Sequence, residues 1–148
     1  MTTTKKRSER GSALIEFALG FSLLWAIFAG IFQFGYAFYV YNVVLTSAAN
    51  AAELGSRMTY DTANPSQFTT ALTNMVLYGD TTAGTTPIVR GLSSSNVNVS
   101  VNALNSMPTD ITITINNFTI DAVFTRFTFN GKPRVTAVYM GQVRCSTC

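Results

Sequence analysis

The chain has 148 residues, the length of one ordinary folded domain, and 47% of them are hydrophobic. It has no histidine, and its two cysteines stand at the very end, which excludes Ser-His-Asp and Cys-His catalysis and histidine-based metal sites. The formal charge of +3 arises entirely within residues 1–11, because acids and bases balance in the rest of the chain. The basic pI therefore gives no reason to expect nucleic-acid binding.

Residues 1–11 form a short, polar and basic segment in front of a long apolar run. Clustered lysine and arginine beside an apolar helix mark the cytoplasmic flank by the positive-inside rule. We therefore predict that residues 1–11 are a cytoplasmic leader and that the C-terminal part of the chain lies outside the cytoplasm.

Residues 12–58 are predicted to form one long helix. No charged side chain occurs from Phe17 to Ala52, and roughly 25 consecutive residues of this kind are enough to span a bilayer. We assign residues 12–41 to the membrane or to a filament core. Beyond them polar residues are interleaved, and an apolar side at helical spacing carries Val44, Ala48, Ala51, Ala52 and Gly55.

One acid, Glu16, stands at the edge of the apolar run, where a carboxylate is costly. In one interpretation it lies among lipid headgroups and the helix is a plain signal anchor. In the other, which we favour, the leader is cut after Gly11, so that Ser12 becomes the first residue of the mature chain and Glu16 the fifth. Glycine at the cut site lets a protease approach the backbone closely. A carboxylate buried by assembly then needs a cationic partner.

Small residues within the apolar run offer a contact for a second helix. Ala26 and Gly30 are four residues apart, a spacing that lets two helices approach closely in a membrane, although such steps also arise by chance. Tyr36, Tyr39 and Tyr41 suit the interface between membrane and water.

Residues 59–148 are predicted to form an extracytoplasmic globular part. Apolar periodicity indicates a short helix over 66–78, and alternation of apolar and polar residues indicates antiparallel strands over 96–102, 110–118 and 135–143. One face of this sheet needs cover, which the amphipathic half of the long helix provides. The predicted fold class is α+β, with a long N-terminal helix packed on a small C-terminal antiparallel sheet.

The cysteines Cys145 and Cys148 have C-x-x-C spacing at the end of the chain. A redox motif would need a βαβ context, and a zinc site would need two more ligands, so we expect no metal and no cofactor. We predict a small terminal disulfide loop outside the cytoplasm, with free or intermolecular thiols as the alternative.

The segment Gly11-Ser12-Ala13-Leu14-Ile15-Glu16-Phe17-Ala18-Leu19 resembles the start of type IV pilins, and in particular of the TadE-like pseudopilins of tight-adherence (Flp, type IVc) pilus systems. The similarity continues through residues 30–36 and 48–57 and is weak beyond residue 58. The chain departs from the family at Glu53 and Leu54, where a basic residue and Glu are more usual, and in its terminal cysteine pair.

The resemblance implies a structural subunit and not an enzyme. A prepilin peptidase would cut between Gly11 and Ser12, and the freed α-amino group of Ser12 would pair with Glu16 in the same or a neighbouring subunit. The chain would wait in the inner-membrane lipid with its N-terminus in the cytoplasm. A platform protein and a secretion ATPase would then assemble it, with copies of itself or other pilin subunits, into a surface filament for adhesion or priming. The alternative function is a membrane-anchored binding or adhesin domain that is neither cleaved nor polymerised.

Overall fold

The structure is a computed structural model that describes residues 6–104, 107–122 and 124–144, with side chains from Gly11 onward. Within these described residues two helices, a 3₁₀ turn and seven strands follow one another. Their bounds are α1 Lys6–Arg57, β1 Tyr60–Asp61, α2 Pro65–Tyr78, the 3₁₀ turn Ser94–Asn96, β2 Val97–Leu104, β3 Met107–Ile115, β4 Phe118–Asp121, β5 Arg126–Phe129, β6 Arg134–Val138 and β7 Val143–Arg144.

The chain divides after Tyr36 into two compact units, and the long helix α1 contributes residues to both. The first unit contains only helix among its described residues, and the second contains the rest of α1 and all that follows. The helix begins at Lys6 and so includes backbone that the sequence assigns to the leader. Gly11 does not interrupt it, because an isolated glycine costs a helix only about 1 kcal/mol relative to alanine.

The core of the second unit lies where α1 meets α2 and the sheet. From α1 it takes Val44, Ala48, Ala51 and Ala52, each at most 1% exposed. Leu72 and Val76 of α2 and Ile111, Ile113 and Ile115 of β3 complete its fully buried centre. The predicted apolar side of the second half of α1 is therefore the side that packs on the sheet.

The short helix α2 has clear limits at both ends. Pro65 occupies its first turn, where the missing N–H needs no partner. It ends at Gly79, which adopts φ of 74° and donates its backbone N–H to Met75 O at 3.0 Å. This left-handed ending is the conformation that glycine adopts without steric cost.

The main sheet has three antiparallel strands in the order β2-β3-β6. Its register sets Val99 opposite Ile113 and Ile113 opposite Val135, so that the apolar side chains of all three strands share the inner face. The predicted α+β fold class, with a long helix packed on a small antiparallel sheet, is confirmed.

Two strands end earlier than the sequence predicts. β3 stops at Ile115, and Asn117, with φ of 51°, turns the chain into the separate β4-β5 hairpin. β6 stops at Val138, because the N–H of Met140 binds Ser56 O at 2.8 Å instead of continuing the sheet. The last strand, β7, then pairs in parallel with β1.

Candidate functional site

The first unit presents a large exposed apolar surface. Every large apolar side chain from Leu14 to Phe34 is more than half exposed. An exposed apolar surface of this extent marks contact with a membrane or with other proteins. The helix is also long and apolar enough to cross a bilayer, with a mean hydropathy of 2.0 in its most apolar window.

The predicted processing residues lie on successive turns at the start of this surface. Gly11, Ser12 and Glu16 are all exposed residues of α1. Ser12 and Glu16 are four residues apart, so they occupy neighbouring positions on one side of the helix. In the uncut chain the nitrogen of Ser12 is a peptide amide and carries no charge. The predicted ion pair with Glu16 can therefore form only after cleavage.

The glycines of the first unit are not required by packing within the chain. A Cβ built on Gly11, Gly20, Gly30 or Gly35 would meet no other atom within 4 Å. Ala26, which precedes Gly30 by one turn, is exposed as well. The small residues at the predicted cut site and at the predicted helix contact thus leave open space beside α1.

An aromatic row runs along the exposed helix. The ring centroids of Phe17 and Phe21 are 6.1 Å apart, those of Phe21 and Trp25 are 6.5 Å apart, and those of Trp25 and Phe28 are 6.2 Å apart. All three pairs are stacked, in the separation range in which aromatic rings attract one another. The row gives one side of the helix a continuous apolar surface.

The tyrosines predicted for the membrane interface differ in exposure. Tyr39 is 67% exposed and Tyr36 is 44% exposed. Tyr41 is half-buried, and its ring lies 5.3 Å from that of Phe129 in β5. Tyr41 therefore contributes to the packing of the second unit.

Tyr139 fastens the end of α1 to the C-terminal strand. Its hydroxyl lies 2.8 Å from both Met58 O and Gln142 O, and it accepts the Tyr60 N–H at 3.0 Å. Partial burial raises the pKa of Tyr139 above its usual value of 10.0. Beside it, a Cβ on Gly141 would clash with Met58 O, so only glycine fits there.

A shallow cleft lies between the end of α1 and the start of α2. Its lining includes one charged side chain, Asp61, among neutral residues such as Asn64, Ser66 and Gln67. The Asp61 carboxylate accepts the Ala63 N–H at 2.9 Å and so stabilises the turn between β1 and α2. In the part of the chain that the structure describes, no cluster of three potential metal ligands occurs.

Comparison with known proteins locates the family signal in the helix. Residues 11–53 match the model of the TadE-like protein family. The predicted resemblance to TadE-like proteins is confirmed over this segment. No curated protein and no solved structure matches the chain. The TadE-like segment begins at Gly11 and contains the exposed apolar surface.

Several residues that organise the second unit were not singled out by their sequence context. Tyr139 and Gly141 hold the C-terminal segment against Met58 at the end of α1, yet neither stands in a recognisable motif. The one available signal was the Gly141 position itself, because glycine within a strand pattern indicates a break or a close backbone contact. Cys145 and Cys148 lie outside the described residues, so their disulfide stays a prediction.

Proposed function

We propose that this chain is a pilin-like structural subunit of a tight-adherence pilus, cut by a prepilin peptidase between Gly11 and Ser12 and assembled through α1. The observation that carries the proposal is the exposed apolar surface from Leu14 to Phe34, which lies within the TadE-like segment 11–53. Such a surface suits lipid before assembly and neighbouring helices afterwards.

Electrostatics supports a role for Glu16 in assembly. Helices that associate through apolar faces slide along one another with little preference, since their contacts are similar in many registers. A Glu16 carboxylate paired with the α-amino group of Ser12 would select one axial position. Losing one partner of such a buried pair costs about 3–5 kcal/mol, enough to separate the correct position from the others.

The proposed function also requires specific protein partners. The uncut chain resides in the inner membrane with its N-terminus in the cytoplasm, and a prepilin peptidase removes residues 1–11. A platform protein and a secretion ATPase then move the subunit into a filament on the cell surface, beside copies of itself or other pilin subunits. In this role the chain acts in adhesion or in filament priming, without enzymatic activity or nucleic-acid binding.

N-terminal sequencing of the exported protein tests the proposal. The expected first residue is Ser12, and intact mass should show the loss of residues 1–11. A chain that begins at Met1 or Thr2 and remains in the membrane fraction would contradict it. That outcome would favour a membrane-anchored binding domain that is neither cleaved nor polymerised.

A further inference from the structure

Among the described residues β2 is an edge of the main sheet, since β3 is its one hydrogen-bonded neighbour there. An edge strand offers unpaired backbone groups to another chain unless charges, proline or a short length protect it. β2 has eight residues, Val97–Leu104, and includes neither a charged residue nor proline. The opposite edge, β6, has five residues, begins at Arg134 and follows Pro133. The edge at β2 is therefore less protected against pairing with another chain than the edge at β6.

The hydrogen bonds of the sheet establish which backbone groups of β2 point outward. Asn116 donates its N–H to Asn96 O at 2.8 Å, in the same register that pairs Asn98 with Thr114 and Ser100 with Thr112. In an antiparallel ladder only alternate residues of a strand bind the same neighbour. The even-numbered residues of β2 therefore bind β3. The N–H and C=O groups of Val99 and Val101 and the C=O of Val97 point to the free edge, whereas the Val97 N–H donates to Ser94 O.

The side chains of these valines point to a different place, the inner face of the sheet. Val97, Val99 and Val101 are half-buried, whereas Ile111, Ile113 and Ile115 of the central strand are fully buried. The outward face of β2 carries the neutral polar residues Asn98, Ser100 and Asn102. Part of the valine surface is thus exposed along β2.

We propose that β2 pairs with β2 of a second copy of this chain, antiparallel and about a two-fold axis at Val99. Around this axis Val99 faces its counterpart and Val97 faces Val101 of the second copy. The N–H and C=O of Val99, the N–H of Val101 and the C=O of Val97 then have partners in the second copy. Valine meets valine on the inner face, and Asn98 meets Ser100 on the outer face, so no like charges oppose each other. The sequence of β2 is complementary to itself in this register.

A two-fold contact uses each edge once and is closed, so it joins two copies and does not propagate. It differs from the contacts of α1, which the proposed filament would use. The inference therefore goes beyond the proposed function and does not depend on it.

Disulfide trapping in the full chain tests both the contact and its register. Cys145→Ser and Cys148→Ser remove the native thiols. The chain is kept in a large excess of detergent micelles, so that most micelles hold at most one chain. Two variants in this background, Asn98→Cys and Ser100→Cys, are oxidised separately and as an equimolar mixture. In the proposed register residues 98 and 100 of the two copies form a non-hydrogen-bonded pair with Cα atoms about 4.5 Å apart, within disulfide range. The Cα atoms of identical positions, such as residue 98 in both copies, are diagonal neighbours about 7–8 Å apart, which is beyond disulfide range.

The expected result is a mixed disulfide that forms at least ten times faster than either homodisulfide. Faster homodisulfide formation by Ser100→Cys alone would place the axis at Ser100 and overturn the proposed register. If the mixture forms no more disulfide-linked dimer than each variant forms alone, the β2–β2 contact is contradicted. This holds even if the chains still associate through α1.

A proline pair provides the matched control. Val99→Pro removes an N–H that points to the free edge and leaves the β2-β3 ladder intact, which an edge strand tolerates. Val138→Pro does the same at the opposite edge, where the residue is exposed and its N–H points away from β3. With circular dichroism showing that both variants are folded, Val99→Pro should lower the rate of mixed-disulfide formation at least tenfold and Val138→Pro should leave it unchanged. Equal rates in the two variants would contradict the proposal.

Discussion

Gly55 of α1 and Leu72 of α2 are in such close contact that a Cβ on Gly55 would lie 2.8 Å from Leu72 Cδ1. The same Cβ would be 3.1 Å from Ile111 Cδ1 on β3. Both neighbours are fully buried, so neither has space to withdraw. Gly55 therefore lies where the two helices and the sheet meet in close contact.

The first prediction concerns this contact. Gly55→Val adds three carbons to a filled part of the core and should lower the free energy of unfolding of the second unit by about 1–3 kcal/mol. Thermal unfolding of the full chain in micelles, followed by near-ultraviolet circular dichroism, measures the change. Gly35→Val is the matched control, because its Cβ would meet nothing within 4 Å. A comparable loss of stability in both variants would show that helix propensity, and not the contact with Leu72, determines the effect.

The second prediction concerns Tyr139. Tyr139→Phe removes the hydroxyl that lies between Met58 O and Gln142 O, and should lower the free energy of unfolding by about 1 kcal/mol near neutral pH. Chemical denaturation of the full chain in micelles measures it. Tyr39→Phe is the control, since the Tyr39 side chain is largely exposed and should change stability little.

The pKa of Tyr139 gives this difference a pH dependence. The folded state raises the pKa above 10.0, so the hydroxyl contributes its stability below pH 10.0 and loses it as the pH rises through the folded-state pKa. The difference in stability between the natural chain and Tyr139→Phe should therefore narrow above about pH 10. A difference that stays constant over this range would show that the proton on Tyr139 does not contribute.

The helical part of the fold could be predicted because its signals are local. A charge-free run defines α1, and the spacing of Val44, Ala48 and Ala51 identifies the side that packs on the sheet. Alternating valine and isoleucine likewise reveal β2 and β3. These features depend on residues close together in the chain.

The parts that the sequence did not reveal depend on distant residues. The parallel pairing of β1 with β7 joins Tyr60 to Val143, and neither two-residue strand has a periodicity of its own. The end of β6 is determined by Ser56 O, which lies in another element. The proposed processing site follows from a local pattern, the spacing of Gly11, Ser12 and Glu16, and stays a prediction, whereas the open space beside Gly11 required the structure.

The third prediction concerns processing. Gly11→Ala should slow removal of the leader and Gly11→Val should nearly stop it, because an added side chain blocks the approach of the peptidase to the backbone. The structure leaves the space beside Gly11 empty, so neither change should disturb the fold of the chain itself. An immunoblot of the natural chain and both variants, expressed with the peptidase, measures the cut fraction. Cleavage of Gly11→Val at the full rate would contradict the assigned cut site.

The fourth prediction separates assembly from cleavage at Glu16. Glu16→Ala removes the carboxylate and leaves Gly11 and Ser12 in place, so cleavage should be normal and assembly poor. Glu16→Gln keeps hydrogen bonding without the charge and should fail nearly as badly, because the proposed partner is a charged amine. Glu53→Ala is the matched control in the same helix. Its carboxylate binds Arg57 at 2.8 Å on the surface, where an ion pair contributes little.

The most direct measurement is therefore the amount of cleaved Glu16→Ala chain in sheared surface filaments, relative to the natural chain and to Glu53→Ala, by quantitative mass spectrometry. The account predicts a cut chain that begins at Ser12 in all three, with Glu16→Ala retained in the membrane fraction and at least tenfold depleted from filaments. A cleaved Glu16→Ala chain present in filaments at the natural level would contradict the assignment of Glu16 to subunit assembly.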